Sequence, residues 1–367
     1  MASPLWSTSG DEEELLGHDD QQSEHLRNRA VCPRDGKEED IQLPSLVLRV
    51  YYWKRRNHRE AEMSGNSNRA HKLLSETREK LQASLSENGV VILPPMDVLA
   101  SSHALNLMGI RAQTAILDPW FNKGVGGIRD DYVEYILTVL NTMQPLSEHV
   151  FLWGFPEIVA HFIDKIPPPL QLRCWLTWFY KNSPSMIRGW RSAQMTCLHL
   201  SKPDAKMHVE NFLNEVQLQK LKHGKLRFIP GPPSVIEESL LCGFVGRNEQ
   251  TGHPSQKPVA VIERLILMGT ARGELVLDLM SGAGTSAEAA YNNERFSIIC
   301  DISEEYTAMA EKRLGVRRIA LPSALMGKVD GIAEGLEPKK FRMPFKNGRL
   351  SAGIEAGRDH QLTFLMK

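Results

Sequence analysis

The stretch TAILDPWFNKG, residues 114–124, closes a short apolar run on Asp118-Pro119-Trp120-Phe121 and passes at once into loop residues. A carboxylate and two rings at the end of a buried strand are costly unless something uses them. An acid and a backbone carbonyl there can accept hydrogen bonds from a polar donor, and a ring can stack on a flat ligand. A proline-terminated strand whose aromatics belong to the core is the plainer alternative.

A second stretch with chemical potential is VLDLMSGAGTSAEAA, residues 276–290, where Gly282 and Gly284 follow an apolar run and open a small-residue helix. Glycine at such a turn lets the backbone pass close to a ligand and aims helix N–H groups into the crevice at a sheet's carboxyl edge. Asp301, 17 residues past Gly284, ends the next apolar run, where an acid can hold a ribose diol. An ordinary tight turn capping a helix is the bland reading of the same residues. Ala287 stands where a full dinucleotide fingerprint needs its third glycine, so NAD is disfavoured. Asp278, four residues before Gly282, adds a second acid. Two acids around a glycine loop suit a cofactor with a cationic amino acid end, such as S-adenosylmethionine, better than a pyrophosphate.

These residues need a frame. From about residue 85 the pattern is strand, loop, helix: GVVILPP and AQTAILD read as strands, DDYVEYILTVLNTM as a helix, HVFLWG as a strand, PEIVAHFIDKI as a helix starting on Pro156, and RCWLTWFY as a strand. After IPGPPS a helix starts at Pro258, and ELVLDLM and FSIIC are strands flanking the glycine loop. The last helix has its cap at Ser303, acids at Glu304 and Glu305, bases at Lys312 and Arg313, and a stop at Gly315. Such alternation implies a parallel or mostly parallel sheet covered on both faces.

Two segments depart from the rhythm. Residues 1–80 carry seven acids and no Lys or Arg in the first 24 positions, then LRVYYWKRRNHRE. They read as a flexible, charge-segregated extension or, alternatively, a basic and aromatic arm for a nucleic-acid backbone. From Lys181 to Arg227, nine basic residues (Lys181, Arg188, Arg191, Lys202, Lys206, Lys220, Lys222, Lys225, Arg227) face Asp204, Glu210 and Glu215. That excess belongs either to a solvated insertion or to a phosphate-binding surface. Residues 317–367 form a weakly patterned tail.

Bulk properties bound the reading. The 367 residues suffice for one large or two modest domains, and 24% charged with 42% hydrophobic residues is ordinary for a soluble globular chain. The 44 basic and 44 acidic side chains cancel, so any attraction for phosphate must be local. Cys32, Cys174, Cys197, Cys242 and Cys300 are scattered without CxxC spacing, which argues against a zinc site and a disulfide framework. With an acidic N-terminus and no apolar run near 18 residues, the expectation is a soluble intracellular protein, in the cytoplasm or nucleoid of a bacterial or phage-infected cell.

VLDLMSGAGTSAEAAYNNERFSIICDISEEYTAMAEKRL resembles the cofactor-binding half of the amino-group DNA methyltransferases. GHPSQKPVAVIERLI (252–266) resembles the HPTQKP segment preceding that half, LDPWF resembles the catalytic tetrapeptide, and LTWFYKNSPSMIRGWRSAQ (176–194) is similar to the family's Trp–Lys–Asn–Pro strand and loop. The catalytic motif comes first, the basic section next and the cofactor motif last, which is the circularly permuted, β-type order. The likeness covers roughly residues 85–315.

The resemblance implies a doubly wound, Rossmann-like α/β methyltransferase fold over 81–316, with a catalytic half (81–185), a small target-recognition insertion (186–250) and a cofactor half (251–316). It implies S-adenosylmethionine as cofactor, held by Asp278, Ser281, Gly282, Gly284, Thr285 and Asp301, with Ser255 and Lys257 at its carboxylate, and no metal. The Asp118 carboxylate and Pro119 carbonyl would accept bonds from the exocyclic amino group of a flipped base. Trp120 replaces the family's second proline, which leaves Phe121 as the stacking ring. Lys220, Lys222, Lys225 and Arg227 would contact phosphates of double-stranded DNA. Adenine is the expected target and cytosine the lesser one; the resemblance also admits a homodimer and a cognate restriction enzyme. Two rivals stand beside it: a nucleic-acid-binding protein whose catalytic turn has drifted, and an RNA methyltransferase.

Overall fold

The computed structural model describes residues 67–122, 127–183, 190–326 and two short strands at 345–346 and 349–350. The eight-stranded sheet lies in Asn68–Lys367, the second of the two units into which the chain divides. Its apolar runs form eight strands: β1 (Val90–Ile92), β2 (Ala112–Leu117), β3 (Ser147–Gly154), β4 (Gln171–Phe179), β5 (Gln194–Ser201), β6 (Val235–Glu237), β7 (Leu275–Asp278) and β8 (Phe296–Ile299). They lie in the order β1-β8-β7-β2-β3-β5-β4-β6. All pairings are parallel except those of β5, which runs against both β3 and β4. Phe345–Lys346 and Arg349–Leu350 pair separately as an antiparallel hairpin.

The helices are α1 (Ser67–Asn88), α2 (Val98–Leu107), α3 (Tyr132–Met143), α4 (Pro156–Val159), α5 (Glu215–Lys222), α6 (Val259–Gly269), α7 (Thr285–Asn292) and α8 (Glu304–Leu314). The central strands are apolar on both faces because helices cover both. Ala115, Leu117, Val150 and Leu152 join one core with residues of α2 and α3. Their neighbours Ile116, Phe151 and Trp153 point the other way, into a core with α6 and α7. Val90, Ile92 and Ile299 form a third cluster with Ala287 and Ala310. The helices after β7 and β2 thus lie on opposite faces although the two strands are neighbours. That makes the gap between their carboxyl ends a topological switch point, where open α/β sheets leave a crevice.

Several expectations need correction. The boundary at residue 80 falls inside α1, whose Leu81 is fully buried and whose Leu74 packs on the first core. Residues 1–66, including the basic and aromatic arm, lie outside the described residues. PEIVAHFIDKI starts on Pro156 as expected but makes only one α turn before continuing as a 3-10 helix over Ala160–Lys165. The section expected to be an insertion from 186 contains β5, an internal strand between β3 and β4, so the chain stays in the sheet as far as Ser201. The tail does not start at 317: the Ile319 amide donates to the Ile92 carbonyl (2.9 Å), and Leu321 and Leu325 enter the first core. Beyond 326 only the hairpin is described.

Near the amino end of β3 lies a buried histidine pair unrelated to the motifs. His149 Nδ1 and His199 Nε2 are 3.0 Å apart, and His149 Nε2 is 3.0 Å from the Lys206 carbonyl. A carbonyl only accepts, so neutral His149 carries its proton on Nε2 and receives one from His199 on Nδ1. His199 also stacks on Phe151, ring centroids 4.4 Å apart. Burial, with His149 and Arg173 nearby, pushes the His199 pKa down to about 3. The unfolded chain takes up that proton near pH 6.5 and the folded chain does not, so stability is lost as pH falls below about 6.5. Chemical denaturation at pH 7.5 and 5.0 is expected to show a larger loss for the parent than for His199→Gln. The difference is bounded by about 1.4 kcal/mol per pH unit.

Candidate active site

Three acids stand at the carboxyl ends of three adjacent strands. In register, Asp278 of β7 lies opposite Ile116 of β2 and Ile299 of β8. Asp118 and Asp301 each follow two residues beyond those positions. Asp278 is 4% exposed. Burial, with Asp118 and Asp301 adding their charges, pushes its carboxyl up to about 7. Burial also raises Asp301. Such an acid cluster is satisfied either by protons or by a cation.

The glycine loop is built by its neighbours. Asp301 Oδ2 accepts from the Gly282 amide and Oδ1 from the Ser303 amide, both at 2.8 Å. Asp301 is therefore first a brace of the loop, with spare lone pairs left on each oxygen for a diol. The Ser281 amide donates to the Cys300 carbonyl (3.0 Å) and the Ser281 carbonyl accepts from the Gly284 amide (2.9 Å). Gly282 and Gly284 take φ of +51° and +76°, a region that disfavours side chains. A Cβ on Gly282 would sit 2.9 Å from His253 Nε2, and one on Gly284 3.1 Å from the Ala310 Cβ. Thr285 Oγ1 accepts from Arg313 (2.9 Å), so its hydroxyl serves the packing of α7 on α8.

His253, in the HPSQKP segment but given no role by the sequence, is the ring that covers the loop. Its Nδ1 accepts from the Ser255 amide (3.2 Å), and it meets Tyr306 edge-on at 4.3 Å. Burial and Lys257 hold its pKa down to about 4, so it is neutral at pH 7. The motif spelling was the signal that could have found it.

The turn at Asp118–Phe121 departs from expectation in two ways. Lys257, read as a partner for the cofactor carboxylate, places its ammonium on Asp118 Oδ2. That lysine is 4% exposed and lies 5.0 Å from the Trp153 ring centroid and 5.7 Å from that of Phe121. Asp118 Oδ1 is buried with no partner among the described residues. The second departure concerns the rings. Phe121 is 7% exposed and packs on Phe155 at 4.7 Å, inside the second core rather than free as a stacking platform. Trp120 turns onto α3 against Tyr132 and Tyr135 (5.2 and 5.7 Å), and its carbonyl accepts from the Tyr132 hydroxyl (2.6 Å). The turn that lacks a second proline is thus braced by an aromatic box.

The basic section is also sorted by the structure. Lys181, Lys202 and Lys206 pair with Glu237, Glu148 and Glu210. Lys220, Lys222, Lys225 and Arg227, on α5 and the loop after it, are exposed and form no ion pair with another described residue. Arg188 lies outside the described residues. No group of metal-ligating side chains occurs among the described residues, and no described helix is long and apolar enough to cross a membrane.

The DNA methylase family of the N6/N4 class matches residues 51–312. The chain belongs to this family. Its curated relatives include the type II methyltransferase M.HpaI of Haemophilus parainfluenzae, 30% identical over 212 residues, covering 54% of this chain and 67% of that one. The DNA adenine methyltransferase YhdJ of Escherichia coli (strain K12) is 38% identical over 153 residues, 38% of this chain and 51% of that protein. The chain thus spans between half and two thirds of these relatives. The crystal structure of an M1.HpyAVI–SAM complex has a TM-score of 0.48 and 21% identity, covering 62% of this chain and all of that one. S-adenosylmethionine is the cofactor of this methyltransferase class, and the site fits it. The glycine cradle has no room for a Cβ at Gly282, and the acid cluster favours a group with a sulfonium and an ammonium.

A pH dependence follows. If Asp278 faces the cationic cofactor, binding favours its ionised form, so affinity rises with pH up to about 7 and levels off above. Calorimetry with S-adenosylmethionine between pH 5.5 and 8 is expected to show up to ~10-fold tightening per pH unit below 7. Asp278→Asn is expected to flatten that slope.

Proposed function

We propose that this chain transfers a methyl group from S-adenosylmethionine to the exocyclic amino group of adenine in double-stranded DNA. The observation that carries the reading is the Asp118 carboxylate. One oxygen is fixed by Lys257, and the other is buried and without a partner at the switch-point crevice. A buried acceptor left empty costs free energy, which a donor from a bound substrate recovers. An amino group offers such a donor, and the Pro119 carbonyl offers it a second acceptor. Together they orient the nitrogen lone pair, so placement supplies most of the catalysis. The cofactor, when bound beside Asp278 and the Gly282 loop, supplies an activated methyl on a cationic sulfur.

Adenine is supported over cytosine by the acid at position 118 and by the relative named as an adenine methyltransferase. DNA is the substrate of the family, and the type II relatives accord with a paired restriction enzyme as a biological partner. An ordered turn, with Trp120 packed on Tyr132 and Tyr135, is compatible with activity despite the missing second proline.

The test is incubation of the full chain with methyl-labelled cofactor and unmethylated genomic DNA, followed by digestion to nucleosides. Label is expected on N6-methyladenine; label on N4-methylcytosine overturns the base assignment, and none overturns the activity. Asp118→Ala is expected to lower single-turnover transfer by orders of magnitude while cofactor affinity stays near the parent's.

A second measurement addresses how DNA is held. Lys220, Lys222, Lys225 and Arg227 are exposed on and beside α5 and form no ion pair among the described residues. If they neutralise phosphates, replacing all four with Gln lowers the log–log salt slope of DNA binding by up to about 0.9 for each phosphate released. An unchanged slope in a filter-binding titration means that DNA lies elsewhere.

A further inference from the structure

We propose that Lys257 is a positioning residue for the catalytic carboxylate and not a ligand of the cofactor's carboxyl group. The inference rests on the reading of Asp118 as acceptor for the amino group, and on four features of the site.

The first is the pairing. The Lys257 ammonium meets Asp118 Oδ2 and leaves Oδ1 empty. A carboxylate free to rotate would interchange its two oxygens; one held by a salt bridge presents the same oxygen each time. The second is burial. Lys257 is 4% exposed while the Asp118 side chain is 23% exposed, so the lysine is the more deeply buried member of the pair. A lysine meant to capture the carboxylate of an incoming ligand needs its ammonium at the surface of the site.

The third feature is the seat of the ammonium. The rings of Trp153, on β3, and Phe121, just after β2, lie 5.0 and 5.7 Å from it, within the range of cation–π attraction. Trp153 is itself 1% exposed and packs edge-on with Trp178 at 6.2 Å. The lysine therefore cannot swing far without leaving two aromatic faces in a packed core. The fourth is its backbone. Pro258 follows directly at the cap of α6, and the Val259 amide donates to Glu249 Oε1 (2.7 Å). The segment that carries the lysine is thus tied at its C-terminal side.

Together these make a three-part device. Phe121 of the catalytic tetrapeptide and Trp153 hold the lysine, the lysine holds Asp118, and Asp118 Oδ1 meets the substrate. This also accounts for the buried Phe121 ring, which serves the ammonium instead of the base. Single-turnover rate and cofactor affinity respond differently to the two roles of Lys257, so together they separate them.

The experiment compares the full-length parent, Lys257→Met, Lys257→Arg, Asp118→Ala and the Asp118→Ala/Lys257→Met double variant. S-adenosylmethionine affinity is measured by calorimetry and methyl transfer to DNA by single turnover. Lys257→Met is expected to slow transfer by ~100-fold or more at saturating cofactor, with the cofactor Kd changed less than about threefold. Adding Lys257→Met to Asp118→Ala is expected to cost little more, because the lysine acts through the acid. Lys257→Arg is expected to recover part of the rate. A cofactor Kd raised about tenfold or more by Lys257→Met, with transfer near the parent's at saturation, overturns the proposal and returns the lysine to the cofactor carboxylate. A further large loss in the double variant also overturns it. If Lys257→Met does not fold, Asp118→Asn/Lys257→Met removes both charges and gives the same cofactor-affinity reading. If the parent transfers no methyl group, the functional reading fails, while the cofactor affinities still decide what Lys257 holds.

Discussion

The Asp118–Lys257 ion pair holds the candidate site together. Asp118 follows β2 and Lys257 precedes α6, 139 residues later in the chain. Removing one member of a buried pair leaves a charge without compensation, typically at about 3–5 kcal/mol. The pair is therefore a registry device: it is favourable only when β2 and the start of α6 are correctly placed. It sits at the carboxyl end of β2, next to β7, and ties that strand end to the segment before α6.

Around that pair the electrostatics are divided. Asp118 is matched by a lysine, whereas Asp278 and Asp301 are raised by burial and look for a cation or a proton. On the proposed function, that division would separate a substrate position at Asp118 from a cofactor position at the two buried acids. His253, over Gly282, is neutral at pH 7 and adds no charge beside these acids.

The sheet explains why these groups meet. In chain order, β7 and β8 come last, yet in space they lie between β1 and β2. The permuted order of motifs therefore costs nothing in geometry: parallel strands put every carboxyl end on one edge whatever their sequence order. Strand β5, the one that runs the other way, is the means by which the basic segment leaves the sheet and α5 is carried beyond it.

Much of this was legible in the residues. Gly282 and Gly284 declared a turn with positive φ between two strands, and Asp278 and Asp301 the strand ends beside it, because such backbone leaves few residue choices. Ser303 and Gly315 marked the last helix for the same reason, since caps are settled within a turn. The family likeness of HPSQKP and DPWF likewise lay in short contiguous spellings. What local spelling could not decide was which distant groups share a space. The amphipathic α1 and the internal β5 were misplaced because burial against partners far along the chain, not local pattern, makes them part of the core. Trp120 finding Tyr132, Phe121 finding Phe155, and Lys257 finding Asp118 are likewise outcomes of packing. An ammonium near a crevice has several candidate partners in sequence, and only the positions of β2, β3 and α6 select one. Residue types and their spacing set the chemistry available to this chain. Folding chose which carboxylate is held, by what, and which oxygen remains free, because those depend on distances between groups that meet only once the sheet is assembled.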